Sequence, residues 1–196
     1  MHPPISDDAL DAIFRDARTF RRWQDKPVSP ALLMAIYDLM RLGPTSGNCS
    51  PARIVFVVSH AAKERLKPHL NQGNVEKTMS APATAIIGFD LDFAERLPFL
   101  FPHQPNAKDA YKDPVLAERV AFRNGSLQGG YFIIAARALG LDCGPMSGFD
   151  NAGVDREFFA DSRIRSNFLC NIGYGDPVDM GPRNPRLSFE EACRAL

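Results

Sequence analysis

The sequence predicts one α+β domain. Three observations carry that prediction. The chain has 196 residues, of which 45% are hydrophobic, ample for a single packed core. Helical patterns outnumber strand patterns along it. Helices and strands do not alternate in regular βαβ units, as a doubly wound sheet would require.

The elements follow in order. Ser6 before DDALDAIF opens a first helix, with Leu10, Ile13, Phe14 and Ala17 on one face and Asp7 and Asp8 at the positive end of its dipole. Ser29-Pro30 sets an N-cap with proline in the first turn, and Leu33, Ile36, Tyr37 and Met40 make the next apolar face up to Gly43. Arg53 to Ser59 reads as a buried strand and HAAKERLKPHL as a polar amphipathic helix interrupted by Pro68; Thr84 to Asp90 is a second buried strand. From 91 to 114 the periodicity fails. Pro98, Pro102, Pro105 and Pro114 alternate there with Phe93, Phe99, Phe101 and Tyr111, which reads as a substrate lid.

Val115 to Leu139 is the longest helical pattern, ended by Gly140 and apolar nearly all round in its C-terminal half. Gly125 and Gly129 would let another helix approach, within the chain or across a subunit interface. A short extended piece near Cys143, a helix over about 153–159 and a strand through 167–174 follow. Ser188 and Glu191 fit a capping box for a last helix.

Charge and motifs exclude several function classes. Lys+Arg and Asp+Glu both number 23, so net charge gives no electrostatic reason to expect nucleic acid or an anionic membrane as partner. No apolar run approaches the roughly 20 residues of a membrane span. The N-terminus lacks the basic and apolar regions of a signal peptide. Cys49, Cys143, Cys170 and Cys193 lie far apart and read as reduced core thiols of a cytoplasmic protein, with no metal site. There is no dinucleotide-binding GxGxxG, Walker A loop, HExxH or GxSxG. His2, His60 and His69 read as solvated surface, whereas His103 in the aromatic segment is a candidate ligand contact.

Three clusters suggest a site. Arg18, Thr19, Arg21 and Arg22 follow the first helix; Pro44-Thr45-Ser46-Gly47-Asn48 follows the second; Arg183 and Arg186 flank Asn184-Pro185. Arginine with Ser/Thr hydroxyls suits a phosphate monoester, through charge-assisted and often bidentate hydrogen bonds. Each cluster alone reads better as a solvated basic turn.

The motifs Arg18-Thr19-Phe20-Arg21-Arg22-Trp23, Gly43-Pro44-Thr45-Ser46-Gly47-Asn48, Ala138-Leu139-Gly140-Leu141 with Pro145 and Gly148, and Arg183-Asn184-Pro185-Arg186 together resemble the nitroreductase family of FMN oxidoreductases. The resemblance runs essentially the whole chain. The blocks GPTSGNCSPARIVF, ALGLDCGPMSGFD, NIGYGD and PRLSFEEA are similar to its malonic semialdehyde reductase subfamily, of pyrimidine degradation. The resemblance implies one domain over 1–196, a nitroreductase-like fold with a central mixed or antiparallel sheet surrounded by helices, and an intertwined homodimer with FMN at the subunit interface. It implies that Arg18, Thr19, Arg183 and Arg186 grip the FMN phosphate and that Pro44, Thr45, Ser46 and Asn48 reach the partner's FMN. Asn74 and Lys77 would face the pyrimidine edge of the ring, and Ser147 or Gly148 would place an N–H near N5. NADPH or NADH would be the electron donor and a small aldehyde the acceptor, malonic semialdehyde giving 3-hydroxypropionate. Arg123, Lys112 and Arg96 are candidates for the substrate carboxylate. A broad nitro- or quinone reductase, with aromatic stacking in the lid, is the alternative. A flavin-binding protein without turnover is a reading of another class.

Overall fold

Four antiparallel strands in the order β1-β2-β4-β3 form the centre of the computed structural model, which describes residues 3–178 and 180–196. They are β1 (Ala52–Val57), β2 (Ala83–Asp90), β3 (Asp142–Met146) and β4 (Ile164–Gly173). The expectation for His2 lies outside the described residues.

Helices cover both faces. They are α1 (Asp7–Leu10, continued by a π-turn over Asp11–Arg15), α2 (Pro30–Met40), α3 (His60–Leu66), α4 (Gln72–Met79), α5 (Leu97–Leu100), α6 (Pro114–Ala138), α7 (Asn151–Phe158) and α8 (Phe189–Ala192). On one face, Leu33, Ile36 and Met40 of α2 and Phe132, Ala135 and Ala136 of α6 pack on Ala83, Ala85 and Ile87 of β2 and Cys170 and Ile172 of β4. On the other, Leu66 of α3, Val154 of α7, Leu70 and Phe149 meet Val57, Ile86 and Leu169. Strand β2 is therefore buried on both faces, which is why its sequence is an apolar run rather than an alternation.

The helix ends follow local chemistry. Ser29 caps α2 through the Leu32 N–H at 3.3 Å, with Pro30 in the first turn. Asp113 caps α6 through the Val115 N–H at 3.0 Å. Gly140, at φ +76°, takes the left-handed backbone after it. Both hydrogen bonds of the Ser188–Glu191 capping box are present.

Several expectations change. Helix α4, absent from the periodicity reading, carries Asn74 and Lys77. Gly125 and Gly129 face their own sheet: a Cβ on Gly129 would lie 2.5 Å from the Phe168 ring, and one on Gly125 would lie 3.0 Å from Phe89. Close approach is needed there within the chain, so these glycines are no subunit contact surface. Segment 91–114 folds into short turns over a third apolar cluster. Phe93 and Leu97 are buried with Phe89, Ala117 and Ala121, and the Phe93 and Tyr111 rings meet edge to face at 4.9 Å, so those two aromatics serve packing. Phe99 is 84% exposed. Cys193 is exposed, unlike the other three cysteines, because the last helix lies off the core. His69 is half-buried, since Gly153 leaves room for its ring against α7.

Candidate cofactor site

The first motif is laid along the outer edge of the sheet. Thr19 pairs with Cys143 of β3 in a parallel bridge, and the Phe20 N–H donates to the Cys143 carbonyl at 3.2 Å. Further on, the Asp176 N–H donates to Arg22 and the Gln24 N–H to Tyr174, at 3.0 and 2.8 Å. Gly175 lies against the Phe20 ring, where any Cβ would overlap it. The backbone of 19–24 is thereby fixed, and Arg18, Arg21 and Arg22 are presented at the rim.

They line a cleft of about 800 Å³ together with Thr19, Arg137, Arg183 and Arg186, and Asp176 is the one carboxylate among its described lining residues. The structure thus brings the first and tail motifs together, across more than 160 positions of chain. Arg18 donates to the Gly181 carbonyl at 2.6 Å, and Arg183 donates to the Arg15 and Ala17 carbonyls at 2.5 and 2.8 Å. Arg186 donates to Asn184 and Pro185 at 2.9 and 3.1 Å. A guanidinium has five N–H donors, so each retains several for an anion. Arg137, in the last turn of α6, donates to the Ile13 carbonyl at 3.0 Å, and its buried Nε has no partner. An unsatisfied buried donor beside a fork-rich cleft fits a phosphate monoester.

Helix α4 is joined to the same stretch of chain, where the Trp23 indole N–H donates to the Lys77 carbonyl at 3.0 Å. Lys77 is half-buried, and its ammonium pKa is lowered by burial and then by the positive charge of Arg21. Three residues earlier, the Asn74 amide donates to the Gly148 carbonyl at 2.7 Å, and the Asn71 N–H donates to the same oxygen at 3.1 Å. Asn74, Lys77 and the Ser147-Gly148 turn therefore form one edge, with Ser147 exposed.

Pro44, Thr45, Ser46 and Asn48 do not join this edge. Their turn is held at α6 by the Ser46 N–H donating to Asn124 Oδ1 at 2.9 Å, and at α5 by the Asn48 amide donating to the Leu100 carbonyl at 2.8 Å. Thr45 Oγ1 accepts from the Ser50 N–H at 3.1 Å. Gly47, Asn48 and Ser50 have φ of 55°, 50° and 38°. Left-handed backbone at two non-glycine residues is strain of the kind that collects at ligand clamps.

Arg137 was missed by the sequence reading; a lone arginine in the apolar half of the longest helix was the available signal. Arg21, outside the phosphate grip that the resemblance implies, lines the same cleft as Arg18. Of the three carboxylate candidates, Lys112 is paired with Asp109 at 3.1 Å and Arg96 lies at a different groove, between α2 and β1. Arg123 is exposed on α6 with no ion pair among the described residues. His103 meets the Phe101 ring edge to face at 6.3 Å and touches neither the arginine cleft nor the Asn74–Gly148 edge. Among the described residues no cluster suits a metal ion, and no helix is long and apolar enough to cross a membrane.

Known proteins resemble this chain over nearly its whole length. A relative from Stenotrophomonas maltophilia (strain K279a), provisionally named an NADH dehydrogenase/NAD(P)H nitroreductase, is 60% identical over 187 residues, 95% of each chain. One of the same provisional name from Burkholderia lata is 58% identical over 190 residues, 97% of each. A provisionally named nitroreductase from Exiguobacterium sibiricum 255-15, solved in complex with FMN, superimposes with a TM-score of 0.86 at 18% identity, covering 100% of both chains. Another, from Bacillus subtilis, gives 0.88 at 21%, covering 97% of this chain and 100% of its own. The nitroreductase family pattern itself matches residues 14–174, and the chain belongs to that family.

Proposed function

We propose that the chain is an FMN-dependent NAD(P)H oxidoreductase, acting as a homodimer, whose acceptor is malonic semialdehyde, reduced to 3-hydroxypropionate. The observation that carries the flavin reading is the convergence of Arg18, Thr19, Arg183 and Arg186 in one cleft, whose Trp23-bearing stretch is hydrogen-bonded to the helix that carries Asn74 and Lys77. The relative solved with FMN and the NAD(P)H in the relatives' names support it.

Bound there, FMN supplies hydride transfer between NAD(P)H and the acceptor. The protein supplies the rest. Arg18, Arg183, Arg186 and the Thr19 hydroxyl hold the phosphate, which carries about −1.5 to −2 charges at neutral pH. Lys77 and Arg21, both cationic, oppose the negative charge that collects at the pyrimidine edge, in a site already oriented to do so. The Gly148 carbonyl is taken by Asn71 and Asn74, which orients the neighbouring N–H groups of the turn. Reducing an aldehyde adds the hydride to carbon and a proton to oxygen.

The dimer reading rests on two observations. The 44–48 turn stands away from the arginine cleft of its own chain, so it is free to serve a second copy. Helix α6 also exposes an apolar stripe of Phe122, Leu127 and Tyr131 beside Gly130, and these side chains remain 38–51% exposed. Leu127→Glu is expected to give a folded monomer with low FMN occupancy, measured by sedimentation and the 450 nm flavin band. A dimer that persists removes this face as the interface.

Arg123 lies on that stripe next to Asn124, which holds the 44–48 turn. Arg123→Ala should raise KM for malonic semialdehyde by about ten-fold or more, the effect of one charge-assisted contact, with KM for a nitroaromatic unchanged. An unchanged KM for the semialdehyde excludes Arg123 as the carboxylate anchor.

The deciding experiment is an anaerobic visible spectrum titrated with NADPH and then with malonic semialdehyde. Bleaching followed by recovery upholds the reading. Recovery only with a nitroaromatic or quinone moves the assignment to a broad reductase, the reading that the relatives' names favour. A bound flavin that NAD(P)H fails to bleach makes the protein a flavin carrier.

A further inference from the structure

The last carbonyls of a helix have no partner within it and must find one elsewhere. At the end of α4 those partners come from Ser80, just beyond the helix, and from three remote parts of the chain. The Glu76 carbonyl takes the Ser80 hydroxyl at 2.9 Å. The buried Lys63 ammonium, from α3, donates to Met79 at 3.3 Å and also to Ala81. Between them, the Lys77 carbonyl accepts from the Trp23 indole Nε1 at 3.0 Å and from the Asn171 amide at 3.1 Å. A carbonyl oxygen has two lone pairs, so that of Lys77 is saturated.

Both donors are themselves fixed. Asn171 is fully buried near the C-terminal end of β4, and its Oδ1 accepts from the Thr84 hydroxyl at 2.7 Å. Its amide also reaches Thr78 Oγ1 at 3.4 Å, and that hydroxyl donates to Met146 Sδ at 3.6 Å. The Trp23 ring lies over Gly144 and Gly173, where added Cβ atoms would stand 3.3 and 3.0 Å from it. Trp23 belongs to the same edge-bound stretch as Arg18 and Thr19, whereas Asn171 belongs to the core. One carbonyl thus ties the helix turn that bears the Lys77 side chain to the phosphate-end segment and to the sheet.

We propose that Trp23 and Asn171 are positioning residues that, by donating jointly to the Lys77 carbonyl, set the Lys77 turn against the ring of the bound flavin and in register with the phosphate grip. The proposal rests on the flavin reading above and adds the parts that hold its two ends at a constant separation. Neither residue touches the cofactor in this scheme; both act through Lys77.

Trp23→Phe tests it, because the ring still covers Gly144 and Gly173 while the N–H is lost. In the flavin-free protein, amide hydrogen exchange over 76–80 should quicken about five-fold, the scale of one net hydrogen bond, with α2 unchanged. FMN and riboflavin should both bind about five-fold more weakly, because the defect is at the ring end. In a Lys77→Met background, Trp23→Phe should add nothing. Asn171→Leu should reproduce the local exchange change. Exchange that stays constant, or rises equally in α2, overturns the proposal. So does a loss confined to FMN, which would place the effect at the phosphate, and so does additivity with Lys77→Met. A wild-type protein that binds neither flavin defeats the flavin reading instead, and the exchange result in the flavin-free protein then decides whether the clamp exists.

Discussion

Replacing Arg18 and Arg183 together by alanine should weaken FMN binding by about 10²–10⁴-fold and leave riboflavin binding nearly unchanged. Each guanidinium faces the same cleft from a different end of the chain. A hydrogen bond to a charged group contributes roughly 1.5–3 kcal/mol, so each loss is worth about one to two orders of magnitude in Kd. Riboflavin lacks the phosphate and reports only on the ring end. Arg183 also ties the Arg15 and Ala17 carbonyls, so the thermal midpoint of the flavin-free double variant must be compared with wild type. Flavin fluorescence titration gives both constants. A change in the FMN Kd below about ten-fold would place the phosphate elsewhere.

The second large effect is on the fold. Gly129→Val should destabilise the protein by about 3 kcal/mol, the upper end of ordinary overpacking. Even the Cβ would lie 2.5 Å from Cε1 and 2.6 Å from Cζ of Phe168, a ring wedged between α6 and the sheet. The helix cannot back away without opening its contacts with Ala83, Ala85 and Ile87. For a chain of this length about 2–4 °C is lost per kcal/mol, so thermal unfolding should begin about 6–12 °C lower. The oligomeric state of the fraction still folded should not change, because Gly129 faces inward. A variant that keeps its midpoint but loses self-association would restore the glycines to a subunit contact.

These two cases also show what was legible in the sequence. Strand β2 was readable because burial on both faces leaves only apolar residues, and the ends of α2 and α8 were readable because Ser29-Pro30 and Ser188–Glu191 act locally. Helix α4 was not. It contains Gly73 and Asn74, is eight residues long, and has its end stabilised by Lys63, Trp23 and Asn171, which are remote in sequence. In 91–114 the prolines signalled breaks correctly, but Pro98 starts a helical turn and Phe93 and Tyr111 go into a core. The spacing of Gly125 and Gly129 says that something comes close; it cannot say whether that is a sheet, a helix or another copy.

For the site, the arginine and threonine residues were legible as types, and the resemblance joined them. What no local pattern holds is the distance between them. Arg18 and Arg183 meet because residues 19–24 are pinned to β3 and to the residues after β4, and because Arg183 reaches back to the end of α1. Lys77 is tied to the same stretch of chain by the Trp23 indole N–H on its carbonyl at 3.0 Å, a contact between residues 54 positions apart that no periodicity shows.

The stretch at 19–23 does something besides presenting its arginines. Strand β3 is the last strand of the sheet on that side, and its outer row of N–H and C=O groups would otherwise be bare. Thr19 and Phe20 cover part of that row through the bridge and hydrogen bond to Cys143. A bare strand edge is a template on which other chains add. Lifting this segment would therefore remove the phosphate grip and, in the same movement, uncover a surface for intermolecular strand addition. A variant of 19–23 that does so should lose FMN affinity and solubility together, so one that purifies colourless needs its aggregation measured before its chemistry is judged.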